Sequence, residues 1–409
     1  METYDSAWVN QQIGRTTEAW HGCARESARA AGRYRASEQD IHEQEYDEAL
    51  CEVEGDLQCA SENMRERIVT SFGKFSARAL SLDEEAINLL TREFLPVGTH
   101  LALWARRHCP DLEMADIIQA ARNAWTACGL QPLLGAPIKL TPSILGYSLL
   151  YPHSDNHLDS VEISLATKLE CSRRFRCRLQ GESLPPEDER ECAMWALITL
   201  IENQYPRPRF PHVFECLLAI HQAQENSVSQ LNGSCFGDVD SLRLSFAKGG
   251  TSVLADACLA RGSLSTAESR FAFEWGVLLQ LGDDLQDLHD DMRRGSATLF
   301  SNAAASGAPL DELAMQLLNF SDKVGEHMDE LPHGTTSLKK LLKMSWRSLI
   351  IRAIADSHDF FSKSFLHEAE QCSPFRFAFL RERKNRLASR KGLYATLFEV
   401  LLEPPVGAD

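Results

Sequence analysis

The stretch Gln280–Asp291 constrains this chain most. It reads Gln-Leu-Gly-Asp-Asp-Leu-Gln-Asp-Leu-His-Asp-Asp and crowds Asp283, Asp284, Asp287, Asp290 and Asp291 into one short window. Around it, Val277, Leu278, Leu281, Leu285, Leu288 and Met292 recur at steps of three and four, the apolar stripe of an amphipathic helix over about residues 271–299. Asp283 and Asp287 are one turn apart and Asp284 and Asp291 two, so in a helix each pair shares a face. Like charges at that spacing repel and weaken the helix that carries them. A divalent cation offsets that repulsion. The competing account, a solvated acidic face, fits less well because Leu and Gly are interleaved with the acids and pull part of the face inward.

The rest of the chain also reads as helix. Segments 61–80, 83–108, 113–128, 141–151, 187–204, 212–231, 239–261, 266–292, 310–331, 337–357 and 385–402 carry amphipathic or apolar helical spacing. Residues 129–142 hold three prolines and two glycines and read as a loop, as does Tyr205–Pro211; Pro152 is expected to interrupt or restart a helix. There is no convincing alternating run, no βαβ signal and no internal repeat. The expected fold is all-α, a large helical bundle of ten or more helices. Residues 1–60, polar and acidic, read as a helical extension or arm, and 61–409 as the main domain.

A hydrophobic content of 44% over 409 residues supplies a sizeable core, and a net charge of -16 argues against nucleic acid or an anionic membrane as the main partner. Twelve scattered cysteines without a C-x-x-C spacing read as buried thiols of a reducing compartment. With no signal-peptide core at the N-terminus and no long apolar run, the expected location is cytoplasmic, with no membrane span.

A second acidic segment, Tyr151-Pro152-His153-Ser154-Asp155-Asn156-His157-Leu158-Asp159, sets Asp155 and Asp159 four apart, beside Asn156 and with Glu162 near. It precedes Asp283 by 128 residues, and each segment follows an apolar helix. Magnesium takes oxygen ligands and is commonly held by one or two carboxylates plus substrate phosphates. Carboxylates on two helices therefore suit a diphosphate gripped through bridging metals, which neutralise it as a leaving group.

The paired segments resemble the class I isoprenoid synthases. Gly276–Asp287 is similar to the second Asp-rich motif of the prenyltransferases. Asp155-Asn156-x-x-Asp159 is nearer the first motif of the squalene and phytoene synthases, and Lys248-Gly249-Gly250-Thr251 resembles the family's Lys-Thr diphosphate contact. Asn156 stands where elongating enzymes carry Asp, and the Asn-Ser-Glu motif of typical terpene cyclases is absent, so the mixture looks most like the class IB type. The resemblance implies an all-α synthase that ionises a prenyl diphosphate and cyclises or couples the allylic cation. It implies Mg2+, three ions with diphosphate bound, held by Asp155, Asn156, Asp159, Asp283, Asp284 and Asp287. Asp155, Asp159, Asp283 and Asp287 are the implied catalytic residues.

Substrate contacts are expected from Lys248, Arg207, Arg209, Gln280, Tyr151 and Trp275. Arg173, Arg174, Arg293, Arg294, Arg347 and Arg352 are competing cations. A carbocation needs a dry aromatic cavity, for which Tyr147, Tyr151, Trp195, Phe236, Phe246, Phe273 and Trp275 are candidates. A prenyl diphosphate is the expected partner molecule and a homodimer a compatible assembly. Chain elongation is the nearest alternative. A non-catalytic helical scaffold or degenerate synthase, and an HD phosphohydrolase built on His153, His289-Asp290 and His358-Asp359, are alternatives of other classes. P-loop, G-x-G-x-x-G and H-E-x-x-H sequences are absent.

Overall fold

The structure, a computed structural model, describes residues 3–24, 33–59, 63–159, 163–230 and 238–402. The side chains at 155, 156, 158, 159, 228–230 and 238–240 lie outside the described ones, as do Glu162, Cys235 and Phe236 entirely.

Every regular element among the described residues is helical, as expected. In chain order they are α1 (Ser6–Cys23), α2 (Ala36–Cys59), α3 (Met64–Ala79), α4 (Glu84–Asn88), a π turn (Leu89–Phe94), α5 (Leu95–His108), α6 (Met114–Leu133), α7 (Pro142–Asp159), α8 (Leu165–Gln180), α9 (Glu189–Gln204) and α10 (Pro211–Gln230). Then come α11 (Asp238–Arg261), α12 (Thr266–Gln286), α13 (Leu288–Arg294), α14 (Leu299–Ala305), α15 (Asp311–Asp329), α16 (Thr336–Asp356), a 3-10 turn (His358–Phe360), α17 (Lys363–Glu370), α18 (Phe377–Ser389) and α19 (Lys391–Leu402). No helix among the described residues is long and apolar enough to cross a membrane.

Side-chain caps set several boundaries: Asp83, Ser164, Asp188 and Thr335 each accept a backbone N–H from the first turn that follows. The expected helix over 83–108 runs without a gap from Glu84 to His108 but holds a π turn, where the Leu95 N–H reaches back to Leu90 O and Pro96 follows without a donor of its own. The expected loop at 129–142 is shorter than its prolines suggest. α6 continues to Leu133 because Leu130, Leu133 and Leu134 are buried, and the Gln131 amide grips the Lys139 backbone at both N–H (2.8 Å) and C=O (3.0 Å). Pro152 neither stops nor restarts a helix but lies buried inside α7. The expected stripe loses Met292, which is 41% exposed, because the chain turns at Asp287 between α12 and α13.

The chain divides into two compact units. The first comprises Met1–Glu18, His100–Gln280 and His327–Gly334. Its core joins α6, α7, α9, α10 and α11 through buried Leu133, Ile144, Leu149, Ile198, Ile201, Val213, Phe246 and Leu254. The start of α1 docks here. Trp8 meets Phe273 edge-on at 6.0 Å, and the Tyr4 N–H donates to Glu215. Small residues let the helices close in. A Cβ on Gly146 of α7 would sit 2.7 Å from Leu197 O of α9, and one on Gly276 of α12 would sit 2.0 Å from Gly249 O of α11.

The second unit comprises Ala19–Thr99, Leu281–Glu326 and Thr335–Asp409. Its parts include an aromatic knot of Tyr46, Phe75, Phe375 and Phe379 and a bond from Gln316 to Trp20 O. Asp83 Oδ2 accepts from Ser337 at 2.9 Å, and the Thr99 hydroxyl reaches Leu401 O at 3.2 Å.

The glycines separate two effects. Gly276→Ala and Gly249→Ala should each destabilise by roughly 1–3 kcal/mol or more through overpacking. Gly14→Ala, whose Cβ meets nothing within 4 Å in the middle of α1, should stabilise by about 0.5–1 kcal/mol. Urea unfolding followed by circular dichroism checks this; equal midpoints for Gly276→Ala and wild type would refute the tight crossing.

Candidate functional site

The α11–α12 crossing gathers part of the expected site. A Cβ on Gly249 would lie 2.4 Å from Gly276 O and 2.5 Å from Gln280 Cβ, so the Lys248-Gly249-Gly250-Thr251 run is pressed against the turn that ends in Gln280. Lys248 and Gln280 are both half-buried. Thr251 is fully buried and its hydroxyl donates to Ala247 O at 2.6 Å, which commits it to its own helix. Trp275 is 2% exposed and packs on Phe271 at 5.7 Å, in the core.

α12 then runs on into the acidic window. Asp283 is half-buried, Asp284 is 5% exposed and Asp287 is exposed. Although α12 ends at Gln286, the helical ladder barely breaks: the Asp287 N–H donates to Asp283 O at 2.8 Å, and the Asp291 N–H to Asp287 O at 2.8 Å. Asp283 and Asp287 thus keep their one-turn spacing. Asp290 is tied to Arg293. Burial, and then the charge of Asp287, push the Asp291 carboxyl up to about 6 against the bond it receives from Thr298. Hard carboxylate oxygens at this spacing match what magnesium takes. Among the described residues, no group of three or more His, Cys, Asp or Glu is arranged to hold a metal ion.

The first acidic segment lies on the last turns of α7. The side chains of Asp155, Asn156 and Asp159 are outside the described ones. What the structure gives is the stretch just before them. Tyr147, Leu150, Tyr151 and Ser154 of α7 form one wall of a cleft, facing Phe175 and Leu179 of α8 and Leu217, Ile220, His221 and Gln224 of α10. The cleft encloses about 340 Å³ of space between atoms, its open mouth included, of which about 20 Å³ accepts a water-sized molecule. That is room for roughly one water, so a longer guest has to move side chains.

The cleft wall is neutral at its polar point. Burial drives the His221 imidazole down to about 4, although its bond to Ser172 O works the other way. His221 is therefore uncharged at neutral pH, and Phe175 meets it edge-on at 4.9 Å. His153 and His157 on α7 are likewise pushed down, by burial first and then by Arg190.

The basic candidates sort differently. Arg207 spends its guanidinium on Leu179 O, Arg178 O and Glu202, with Phe214 beneath it at 3.7 Å. It fastens the end of α8. Arg209 is exposed over Phe210. Arg174 is buried in a two-pronged pair with Glu191, at 2.8 and 2.7 Å. Tyr151, Trp275, Lys248, Gln280, Arg207 and Arg209 belong to the first unit, and Asp283, Asp284 and Asp287 to the second.

Sequence reasoning missed the far wall of the cleft. Phe175 and Leu179, and Leu217, Ile220, His221 and Gln224, do carry three- and four-residue spacing, but only tertiary packing turns those stripes toward Tyr151. It also missed Asp256. This acid sits 1% exposed in the apolar run of α11, where Oδ2 accepts from Asn123 at 3.3 Å and Asn123 accepts from Ser148 at 2.9 Å, linking α11, α6 and α7. An acid inside an all-apolar stretch was the available signal. The chain matches no family model, no curated protein and no solved structure.

Burial raises the Asp256 carboxyl well above its ordinary range, against the Asn123 bond. The folded state therefore holds a proton that the unfolded state releases near pH 3.9. Its contribution to stability is whole below that pH and is lost as pH rises toward the folded value, with a limiting slope of about 1.4 kcal/mol per pH unit. Asp256→Asn should match wild type near pH 4 and exceed it increasingly from pH 5 to 8. Denaturant melts across that range test this, and a variant less stable than wild type at pH 8 would contradict it.

Proposed function

We propose that this chain is a magnesium-dependent class I isoprenoid synthase, which ionises a prenyl diphosphate and cyclises or couples the allylic cation with release of diphosphate. The observation that carries the reading is the glycine crossing: it presses the Lys248–Thr251 run against the turn of α12 that ends in Gln280, just before Asp283, Asp284 and Asp287 in sequence. Lys248 is a cation suited to phosphate oxygens, Gln280 a polar amide, and the acidic window after it in sequence a set of carboxylates. That order matches the chemistry of a diphosphate leaving group.

The roles follow from chemistry. Lys248 donates charge-assisted bonds to a phosphate oxygen, and the Gln280 amide adds a neutral donor beside it. Asp283 and Asp287, and Asp155, Asn156 and Asp159, supply oxygen ligands for magnesium. When bound, the metal provides the Lewis acid that neutralises the departing diphosphate. Tyr147, Tyr151 and Phe175 supply aromatic faces that a cation tolerates in a cleft that is otherwise mostly apolar. A neutral His221 puts no competing charge there. The all-helical architecture and the resemblance of both acidic segments support the same reading.

The deciding assay gives the chain magnesium and a ladder of prenyl diphosphates from farnesyl upward, with and without isopentenyl diphosphate. The expected outcome is diphosphate release and a hydrocarbon or alcohol without isopentenyl diphosphate. Products formed only with it mean chain elongation; no product and no diphosphate release from any substrate overturn the reading. Asp283→Ala and Asp287→Ala should each lower turnover by about 10²–10³-fold or more, on the scale of losing one preorganised electrostatic group, while circular dichroism stays unchanged. Near-normal turnover in either would remove the acidic window from the mechanism.

The cleft generates its own test. Tyr151→Ala should admit a substrate one isoprene unit longer, because the ring forms part of the wall opposite α8 and α10. Being only half-buried, the ring should cost less stability than the roughly 3–5 kcal/mol of a fully buried aromatic truncation. Unchanged substrate preference in a folded variant would show that this cleft does not hold the prenyl chain.

A further inference from the structure

Two cysteines meet in the core of the first unit. Cys216 of α10 and Cys258 of α11 are both 0% exposed, and their Sγ atoms lie 2.8 Å apart. Nonbonded heavy atoms settle about 3.5–4 Å from each other, and a disulfide closes at about 2.05 Å. The pair therefore stands well inside ordinary contact and close to bonding distance. Other thiols behave differently: Cys128 points its sulfur at Lys139 O, and Cys171 receives a bond from Arg190. The two helices that carry the pair are among the most closely packed neighbours in the unit, so their backbones already hold the sulfurs face to face.

We propose that Cys216 and Cys258 are a site of covalent modification, forming an internal disulfide by exchange with a small-molecule disulfide such as oxidised glutathione. The step balances. One protein thiolate attacks glutathione disulfide, giving a mixed disulfide and one glutathione thiolate. The second protein thiolate attacks the protein sulfur of that mixed disulfide and expels another glutathione thiolate. The two thiol protons end on the two released glutathiones, so the protein loses two hydrogens and the reagent gains them. Because neither sulfur reaches solvent in the closed core, the first exchange takes place while α10 and α11 are apart, during folding or local opening. Closing the helices then brings the second sulfur onto the first. The bond joins positions 42 residues apart and pins α10, which also supplies Leu217 and Ile220 to the cleft. This inference is independent of the proposed reaction.

The test uses the full chain, refolded from urea into a mixture of reduced and oxidised glutathione, and in parallel the native chain equilibrated in the same mixture. Each is quenched in acid, alkylated in denaturant and weighed, then digested without reductant. The expected result is two unlabelled cysteines and a peptide linking Cys216 to Cys258. A melting temperature that falls on adding dithiothreitol should accompany them, and all three should be absent from Cys258→Ala. Full alkylation of all twelve cysteines in both preparations, or a cross-link that joins Cys216 to a different cysteine, overturns the proposal. Should Cys258→Ala fail to fold, Cys216→Ala serves as the control, and the peptide map of the unaltered chain decides alone.

Discussion

The approach of two backbones at Gly249 and Gly276 is the constraint on which the most informative part of this structure depends. Nothing larger than hydrogen fits at either position, since the opposing atom is a main-chain carbonyl that cannot swing aside. Gly250 adds to it: a Cβ there would fall 2.5 Å from the Phe273 ring. With α11 and α12 that close, Gly249 and Gln280 become neighbours although they are distant in sequence. The same closeness buries Phe246, Phe271 and Phe273, so the joint that brings polar groups together also anchors a large apolar surface.

Charge within the first unit follows a consistent division of labour. Three guanidinium groups are engaged in holding helices: Arg174 with Glu191, Arg178 with Glu202, and Arg207 at the end of α8. Asp256 and His221 go the other way and shed their charge under desolvation.

The helical class was legible because apolar residues recur with helical spacing almost everywhere. α8 was not, because its many Arg, Lys and Glu residues mask the short apolar stripe of Phe175 and Leu179, and ion pairs such as Arg174–Glu191 help fasten it. Proline misled twice, at Pro132 and Pro152, since its cost is local while the burial that repays it is tertiary. Within the candidate site, the Lys248–Thr251 run and the Gly276–Asp287 stretch could be read as two separate motifs, but not the approach of Gly249 to Gly276 and Gln280. Leu150 and Tyr151 form part of one wall of the cleft. Its opposite wall, Phe175 through Gln224, could not be assigned because nothing local says which stripe faces which.

The π turn at Leu89–Phe94 is an α-helix that has accepted an extra residue. Each residue of an α-helix advances the phase by about 100°, so the turn works as a phase shifter between the segment before it and the segment after it. On one side Asp83 is aimed at Ser337, and on the other Thr99 is aimed at Leu401 O. Both aims are correct only with the surplus residue in place. The sequence here is consequently under a constraint of length as well as of composition: a one-residue deletion between these two contacts would leave every side chain chemically acceptable and one of the two ends pointing the wrong way.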